Sequence, residues 1–473
     1  MGRRGDAETG GHGDAGTRGR GDAGTRGRGD GERGRHGDAE TSAHHKELAV
    51  REPPNATRSE ETRGGADLRP TSGHLRSGSN APADPHPSSP VSASPRPRVP
   101  ASPHPPVPPR PFSGSAPTAW LFSARVDLSV FLGSAVVSFI ALWIGARTGV
   151  LYDDPPDWAW IPAVLLIDVA HVYSTGFRVY LDGDELRRRP WLYTLVPVLG
   201  FLIGVALYSE GELVFWRALA YVAVFHFVRQ QYGWVALYRA RAEERDKLGR
   251  WIDTVAIYAA TIYPLIYWHT HLPRKFWWFL AQDFASIPLM VERITQPIYW
   301  LALGVYATKS LYGWLVTRRI NAGKDIVVVT TALCWYVGIV GFNSDYAFTV
   351  TNVIIHGVPY LALIYWYGRT RWAATGGRGA FKLFAHGPAA FLFVLWALAY
   401  FEEMFWDRGV WQDRSWFFGA PWDVTAFKVV IVPLLALPQI VHYVLDGFVW
   451  RRKSNPDLGL VRSSLPRNKA LAL

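Results

Sequence analysis

Four histidines lie inside apolar stretches of the sequence, where an imidazole could bind a metal ion or carry a proton. Each lies in a different stretch, within the segments IDVAHVYST, VFHFVRQQYGW, TNVIIHGVPY and PQIVHYVLDGF. The four are His171, His226, His356 and His442. Ionisable residues in a membrane helix are costly unless they face a polar interior, so these histidines mark a candidate site.

Each of these histidines has a polar residue one helical turn away, three or four positions along the chain. In the order of the histidines, these partners are Asp168, Gln230, Asn352 and Asp446. Residues at that spacing share a helix face. A metal-bound imidazole generally gives its second N–H to a carboxylate or carbonyl oxygen, which fixes its tautomer. The pattern therefore predicts four metal ligands and four residues that orient them.

The types of ligand indicate which metal would bind. The sequence has one cysteine, Cys334, which excludes a disulfide framework, a thiolate-held iron–sulfur cluster and a CxxC zinc site. Imidazole ligation without thiolate favours Fe(II), Zn or Cu over metals that prefer softer ligands. Four neutral ligands on iron would leave two positions for O2 and a substrate.

The elements that would position these residues are long apolar stretches, which recur from Val126 onward. Each has about 17–25 residues, the length that a helix needs to cross the hydrocarbon core of a bilayer. We predict an all-α, polytopic transmembrane helix bundle of about ten spans within residues 119–455. The approximate spans are 126–145, 158–176, 191–208, 213–238, 252–268, 297–316, 326–343, 347–368, 387–401 and 424–450. The ninth is short, and a nine-span alternative would make it a re-entrant segment.

Positive charge between the spans predicts their orientation. Arginine and lysine cluster after the even-numbered spans, as at Arg187–Arg189 and Arg451–Lys453, whereas Arg147 stands alone after span 1. By the positive-inside rule, both termini are predicted to be cytoplasmic in a multi-pass protein of the inner membrane. The net charge of +11 then belongs to membrane loops rather than to a nucleic-acid surface. Depth in the membrane can be counted from the first arginine after each span, at 1.5 Å per residue. By this count the four histidines lie within about 9 Å of one another in depth.

The two ends of the chain differ from the bundle. Residues 1–118 contain a single aromatic residue, Phe112, and residues 5–44 repeat with a period of about eight in glycine and alternating charge. Such a segment cannot bury enough apolar surface to fold, so we predict a disordered tail. A start codon assigned too far upstream is the alternative. Residues 456–473 are predicted to be a short cytoplasmic tail.

A multi-span chain with single intramembrane histidines flanked by aromatic residues resembles the Brp/Blh-type carotenoid dioxygenases of bacteria. The resemblance extends over roughly residues 126–450. It implies a nonheme iron held by the histidines and the splitting of a polyene double bond by O2. That family tends to place two histidines on one helix as HxxxH, and this chain lacks the motif.

These observations favour a nonheme-iron oxidative enzyme acting on a lipid or isoprenoid, with membrane lipids and a lipid-soluble small molecule as its partners. The same histidines and aspartates also fit the proton relay of a transporter or sensor. A resemblance to membrane-bound O-acyltransferases implies His356 as general base, with Asn352 assisting. In a fourth interpretation, the protein has a structural role, and the polar residues only form contacts between helices. The acidic pair Glu402–Glu403 is predicted to lie in a solvated outer loop.

Overall fold

The computed structural model describes residues 119–451 and Asn455, and within this part of the chain the secondary structure is entirely helical. The predictions for residues 1–118 and for residues 456–473 lie outside the described residues. Ten long helices follow one another. They are α1 (Ala124–Thr148), α2 (Asp157–Arg178), α3 (Pro190–Glu210), α4 (Glu212–Arg241), α5 (Lys247–Thr270), α6 (Leu289–Tyr312), α7 (Ala322–Gly341), α8 (Asp345–Thr375), α9 (Gly379–Trp411) and α10 (Thr425–Val449).

Seven of these helices are long and apolar enough to cross a membrane, namely α1, α2, α3, α7, α8, α9 and α10. They indicate a helical membrane protein. The other three, α4, α5 and α6, have 30, 24 and 24 residues. At 1.5 Å per residue they are about 36 Å long or longer, but they are less apolar. The prediction of about ten spans is thus not confirmed, and the membrane and the sidedness of the termini stay predictions.

Helix α9 is longer than the sequence predicts. It runs for 33 residues, beginning with the 3-10 turns of Gly379–His386 and ending with a π-helical turn at Asp407–Trp411. Because the helix continues past Phe401, it carries Glu402 into the bundle, where that side chain is 4% exposed. The predicted solvated loop is therefore wrong for Glu402, and Glu403 is half-buried.

Two π-helical segments lie directly before two of the histidines. Ile161–Val169 precedes His171 in α2, and Thr349–Val353 precedes His356 in α8. A π-helical turn adds a residue to the turn and changes the direction of the side chains that follow, and such turns are frequent at functional sites. The local backbone thus sets the direction in which both imidazoles leave their helices.

Helix α8 is the most buried of the seven apolar helices and packs closely against α2. A Cβ atom at Gly357 would lie 2.6 Å from Cγ2 of Ile167 and 3.3 Å from the Ile167 carbonyl oxygen. Only glycine fits this approach without displacing a neighbour. The contact lies next to His356 and brings α8 against the helix that carries His171.

Candidate metal centre

The four intramembrane histidines come together in the interior of the bundle, on helices α2, α4, α8 and α10. Each offers a ring nitrogen, and these nitrogens all lie within 4.8 Å of one another. Ring centroids are 4.8 Å apart for His171–His356, 5.2 Å for His356–His226, 4.5 Å for His226–His442 and 4.9 Å for His442–His171. All four side chains are at most 4% exposed. The predicted convergence is confirmed.

The spacing of the nitrogens suits one metal ion. Ligands about 2.1 Å from an ion are about 4.2 Å apart when they stand on opposite sides of it. Six ring nitrogens of the cluster are buried without a hydrogen-bond partner in the described part of the chain: both of His171, both of His356, and Nε2 of His226 and of His442. Leaving buried polar atoms unpaired is costly. Converging imidazole lone pairs fit a cation, so the cluster could hold a metal ion.

A chain of hydrogen bonds sets the tautomer of His442. Tyr360 donates its hydroxyl to Oδ1 of Asp446 at 2.6 Å, because an ionised carboxylate can only accept. The Tyr360 oxygen then accepts from Thr175 at 2.9 Å, and Oγ1 of Thr175 accepts from Nδ1–H of His442 at 2.7 Å. The Nε2 lone pair of His442 therefore remains for a metal ion.

Sequence reasoning missed Thr175 and Tyr360. Thr175 lies four residues after His171 on the same helix face, and this spacing was a usable signal. Thr175 orients His442, however, which belongs to another helix. The spacing of residues along one helix therefore does not reveal this contact. Tyr360 belongs to α8 and meets Thr175 only through the packing of α8 against α2.

The two predicted orienting aspartates lie beside the cluster. Oδ1 of Asp168 is 3.5 Å from Nδ1 of His171. Asp446 lies between two imidazoles, with Oδ2 4.0 Å from Nδ1 of His226 and Oδ1 3.9 Å from Nδ1 of His442. These separations give electrostatic contact, but they are too long for good hydrogen bonds.

The two predicted orienting amides contact backbone rather than imidazole. Nε2 of Gln230 donates to the carbonyl oxygen of His356 at 2.8 Å, because α4 packs against α8 at this level. Nδ2 of Asn352 donates to the Phe348 carbonyl oxygen at 3.1 Å and contacts the Thr351 hydroxyl at 3.0 Å. Asn352 lies in a π-helical segment, which changes its direction relative to His356. The side-chain oxygens of Gln230 and Asn352, which an orienting role would use, have no partner among the described residues, so that role stays a prediction.

Aromatic rings pack against two of the imidazoles. Phe227 stacks on His356 with centroids 3.5 Å apart and ring planes 5° from parallel. The ring of Tyr443 lies 5.1 Å from that of His226. Stacking restricts the rotation of a ring and leaves its nitrogens directed at the edge, toward the other histidines.

Comparisons with protein-family models, with curated proteins and with solved structures find no match for this chain. The resemblance to the Brp/Blh-type dioxygenases rests on the sequence pattern and stays a prediction.

Proposed function

We propose that this protein is an integral membrane metalloprotein in which His171, His226, His356 and His442 bind one transition-metal ion. The observation that carries the proposal is the convergence of unpartnered imidazole nitrogens in the bundle interior. Imidazole ligands suit iron, zinc and copper, and we favour Fe(II).

The proposed reaction is the oxidation of a lipid or isoprenoid. Bound iron would supply the activation of O2, and splitting a carbon–carbon double bond with O2 places one oxygen atom in each of two carbonyl products. This balance needs no external reductant. The protein's own residues hold the site: Thr175 and Tyr360 orient His442, and Phe227 restrains His356. A site buried among lipid-facing helices suits a lipid-soluble substrate.

A second candidate is a proton-coupled transporter or sensor. It is favoured by the hydrogen-bonded chain from Asp446 through Tyr360 and Thr175 to His442, since such chains can conduct protons. The acyltransferase interpretation has less support, because Asn352 bonds within its own helix rather than to His356.

Elemental analysis of detergent-purified protein tests the metal site. We expect about one metal ion per chain in the wild type and a loss of most of it in His356→Ala and His442→Ala. The same measurement identifies the metal. His386→Ala is the matched control, because His386 is exposed and lies outside the cluster. Metal content that is unchanged by both cluster substitutions would contradict the proposal and favour the transporter or a structural role.

A further inference from the structure

An apolar groove lies on the outer surface of the bundle between α3, α10 and the turn that follows α2. Its volume is about 360 Å³, within the range of about 300–1,000 Å³ of small-molecule sites. The groove is lined by Tyr180, Pro197, Leu434, Leu437, Pro438 and Val441. Pro197 lies seven residues after the start of α3, and Val441 lies eight residues before the end of α10. At 1.5 Å per residue both are about 10–12 Å inside their helices, so the groove lies at the level of the hydrocarbon.

Close contact between α3 and α10 keeps the groove at the surface. A Cβ atom at Gly200 would lie 2.9 Å from Cγ2 of Ile440, and a Cβ atom at Gly204 would lie 3.0 Å from Cβ of Pro433. Only the absence of a side chain at these two positions allows such an approach. Because the two helices touch here, the groove opens to the surrounding lipid and does not continue into the bundle between them.

Tyr180 connects the groove to the arginine-rich loop between α2 and α3. Pro197 has no N–H, so the carbonyl oxygen of Tyr193, four residues earlier, lacks its usual helical donor. Tyr180 donates its hydroxyl to this oxygen at 3.1 Å. Tyr193 in turn lies one helical turn after Arg189. The wall of the groove is therefore fixed directly beside the arginines at the start of α3.

Arginine side chains converge at this end of the bundle. Arg178, Arg188 and Arg189 all donate to Oδ1 of Asn455. Nη2 of Arg178 lies 3.3 Å from that oxygen, and Nη2 of Arg189 lies 3.2 Å from it. The shared acceptor is a neutral amide oxygen, whereas guanidinium groups bond more strongly to anionic oxygens. An anionic oxygen at this position would thus be well stabilised.

The same end of the bundle carries an excess of positive charge within the described residues. Five arginines lie there among three carboxylates: Arg178, Arg187, Arg188, Arg189 and Arg371, with Asp182, Asp184 and Glu185. The Arg187 side chain is 78% exposed and pairs with the exposed Asp184. Trp191, at the start of α3, is also exposed, as is typical of tryptophan at a membrane interface. The arginines therefore lie where lipid head groups lie.

We propose that the groove and the arginines of the loop between α2 and α3 together bind one anionic phospholipid. Basic pockets between transmembrane helices bind such head groups. The phosphate contacts Arg187 and Arg189, and an acyl chain lies along Pro197 and Leu434.

The dimensions of a lipid fit this placement. Pro197 follows Arg189 by eight residues, about 12 Å along the helix, and one leaflet contains about 15 Å of hydrocarbon. A phosphate at the arginines therefore brings the chain below it to the groove. The proposal rests on the membrane-spanning helices and does not depend on the metal centre.

Lipid titration of the delipidated full-length protein in detergent, followed by native mass spectrometry, tests the head-group contacts. We expect phosphatidylglycerol to bind more tightly than the zwitterionic phosphatidylcholine. The double substitution Arg187→Gln and Arg189→Gln should weaken phosphatidylglycerol binding about fivefold for each arginine and leave phosphatidylcholine binding unchanged. The matched control is Arg318→Gln with Arg319→Gln, because both of these side chains are exposed and lie in a different loop.

Leu434→Trp tests the groove itself. Leu434 is 52% exposed, so the larger ring would occupy the groove without entering the core, and phosphatidylglycerol should bind severalfold more weakly. Val430→Trp is the matched control, because Val430 lies one turn earlier on α10, is 43% exposed and does not line the groove.

Three outcomes would overturn the proposal. Equal binding of the two lipids to the wild type would show that the arginines do not select the head group. Equal losses in the test and control variants would show general adhesion of lipid to the surface. Displacement of phosphatidylglycerol by inorganic phosphate would show a site for soluble anions. His356→Ala should bind phosphatidylglycerol as the wild type does, so a failure of the metal site is distinguishable from a failure of the lipid site.

Discussion

Thr175 contacts residues of two other helices at the candidate metal centre. It accepts a hydrogen bond from His442 of α10 and donates one to Tyr360 of α8, while its own backbone belongs to α2. Its side chain is 3% exposed, so water does not compete for these bonds. A hydroxyl in this position fixes the ring orientation and the tautomer of His442, whose Nδ1 lies 3.9 Å from the Asp446 carboxylate, too far for a good hydrogen bond.

Replacing Thr175 with valine should lower metal affinity about 10–100-fold, because the Nδ1–H of His442 would lose its acceptor while the volume of the side chain is kept. Thr175→Ser keeps the hydroxyl and should stay within a few-fold of the wild type. Competition with a chelator of known affinity measures the effect on purified protein. Thr370→Val is the control, because the Thr370 hydroxyl donates to the Trp366 carbonyl oxygen of its own helix.

Equal affinities in the Thr175→Val and Thr175→Ser variants would show that the hydroxyl does not position His442.

Some residues of the candidate metal centre could be identified from the sequence, and others could not. The four histidines were predictable, because imidazoles are rare inside apolar spans and their depths could be compared. Asp168 and Asp446 followed from helical spacing. Thr175 and Tyr360 did not, since their contacts depend on which helices become neighbours, and that information lies in the packing rather than in local spacing.

At the scale of elements, the approach of α8 to α2 determines whether His171 and His356 can share a ligand. Gly357 allows this approach, since a Cβ atom there would lie 2.6 Å from Cγ2 of Ile167. The contact lies one residue from His356, so a larger side chain would separate the two helices at the level of the site.

Gly357→Val should destabilise the protein by roughly 1–3 kcal/mol and reduce its metal content, because overpacking forces the helices apart. Thermal unfolding in detergent and elemental analysis measure the two effects. Gly447→Val in α10 is the matched control, because no atom of another described element lies within 4 Å of a Cβ at Gly447. Adding Ile167→Ala to Gly357→Val should restore part of the stability and part of the metal content. If the two glycine variants behave alike, the close approach is not what assembles the site.

The elements themselves were largely predictable. Each of the ten apolar stretches coincides with a long helix, and most ends agree within a few residues. The largest difference is at the segment predicted as 387–401, because charged residues ended the apolar pattern at Glu402. In the protein this helix continues, since Trp406 and Gln439 hydrogen-bond the Glu402 carboxylate. A hydropathy profile depends only on the residue types along the chain. It does not include hydrogen-bond donors such as Trp406 and Gln439 that stabilise a buried carboxylate.

For the whole molecule, the number of spans depends on α4, α5 and α6, which are less apolar than the seven candidate spans. Helix α6 exposes an apolar stripe at helical spacing: Ile294, Ile298, Leu301 and Val305 are each at least 43% exposed. In water such a stripe would be unfavourable, whereas lipid would cover it. We therefore favour ten spans, which places the loops after α4 and after α5 on opposite sides of the membrane.

Single cysteines at two exposed positions test this topology in a Cys334→Ser background. Arg245→Cys lies in the loop after α4 and Ala281→Cys in the loop after α5. With ten spans, a membrane-impermeant maleimide should label Ala281→Cys in intact cells and Arg245→Cys only in inverted vesicles. If only the seven apolar helices cross, the two positions lie on the same side and will be labelled together.

The four histidines that we propose as metal ligands lie on the second, fourth, eighth and tenth helices, and this distribution would constrain biosynthesis. Membrane proteins insert from the N-terminal end as they are synthesised, so His442 reaches the bilayer after the other three ligands. Until α10 packs against the other helices, the nascent protein contains three of the four histidines, and the position of His442 is empty. If the four histidines bind a metal ion as we propose, metal loading would be a late event, because the fourth ligand arrives with the last helix.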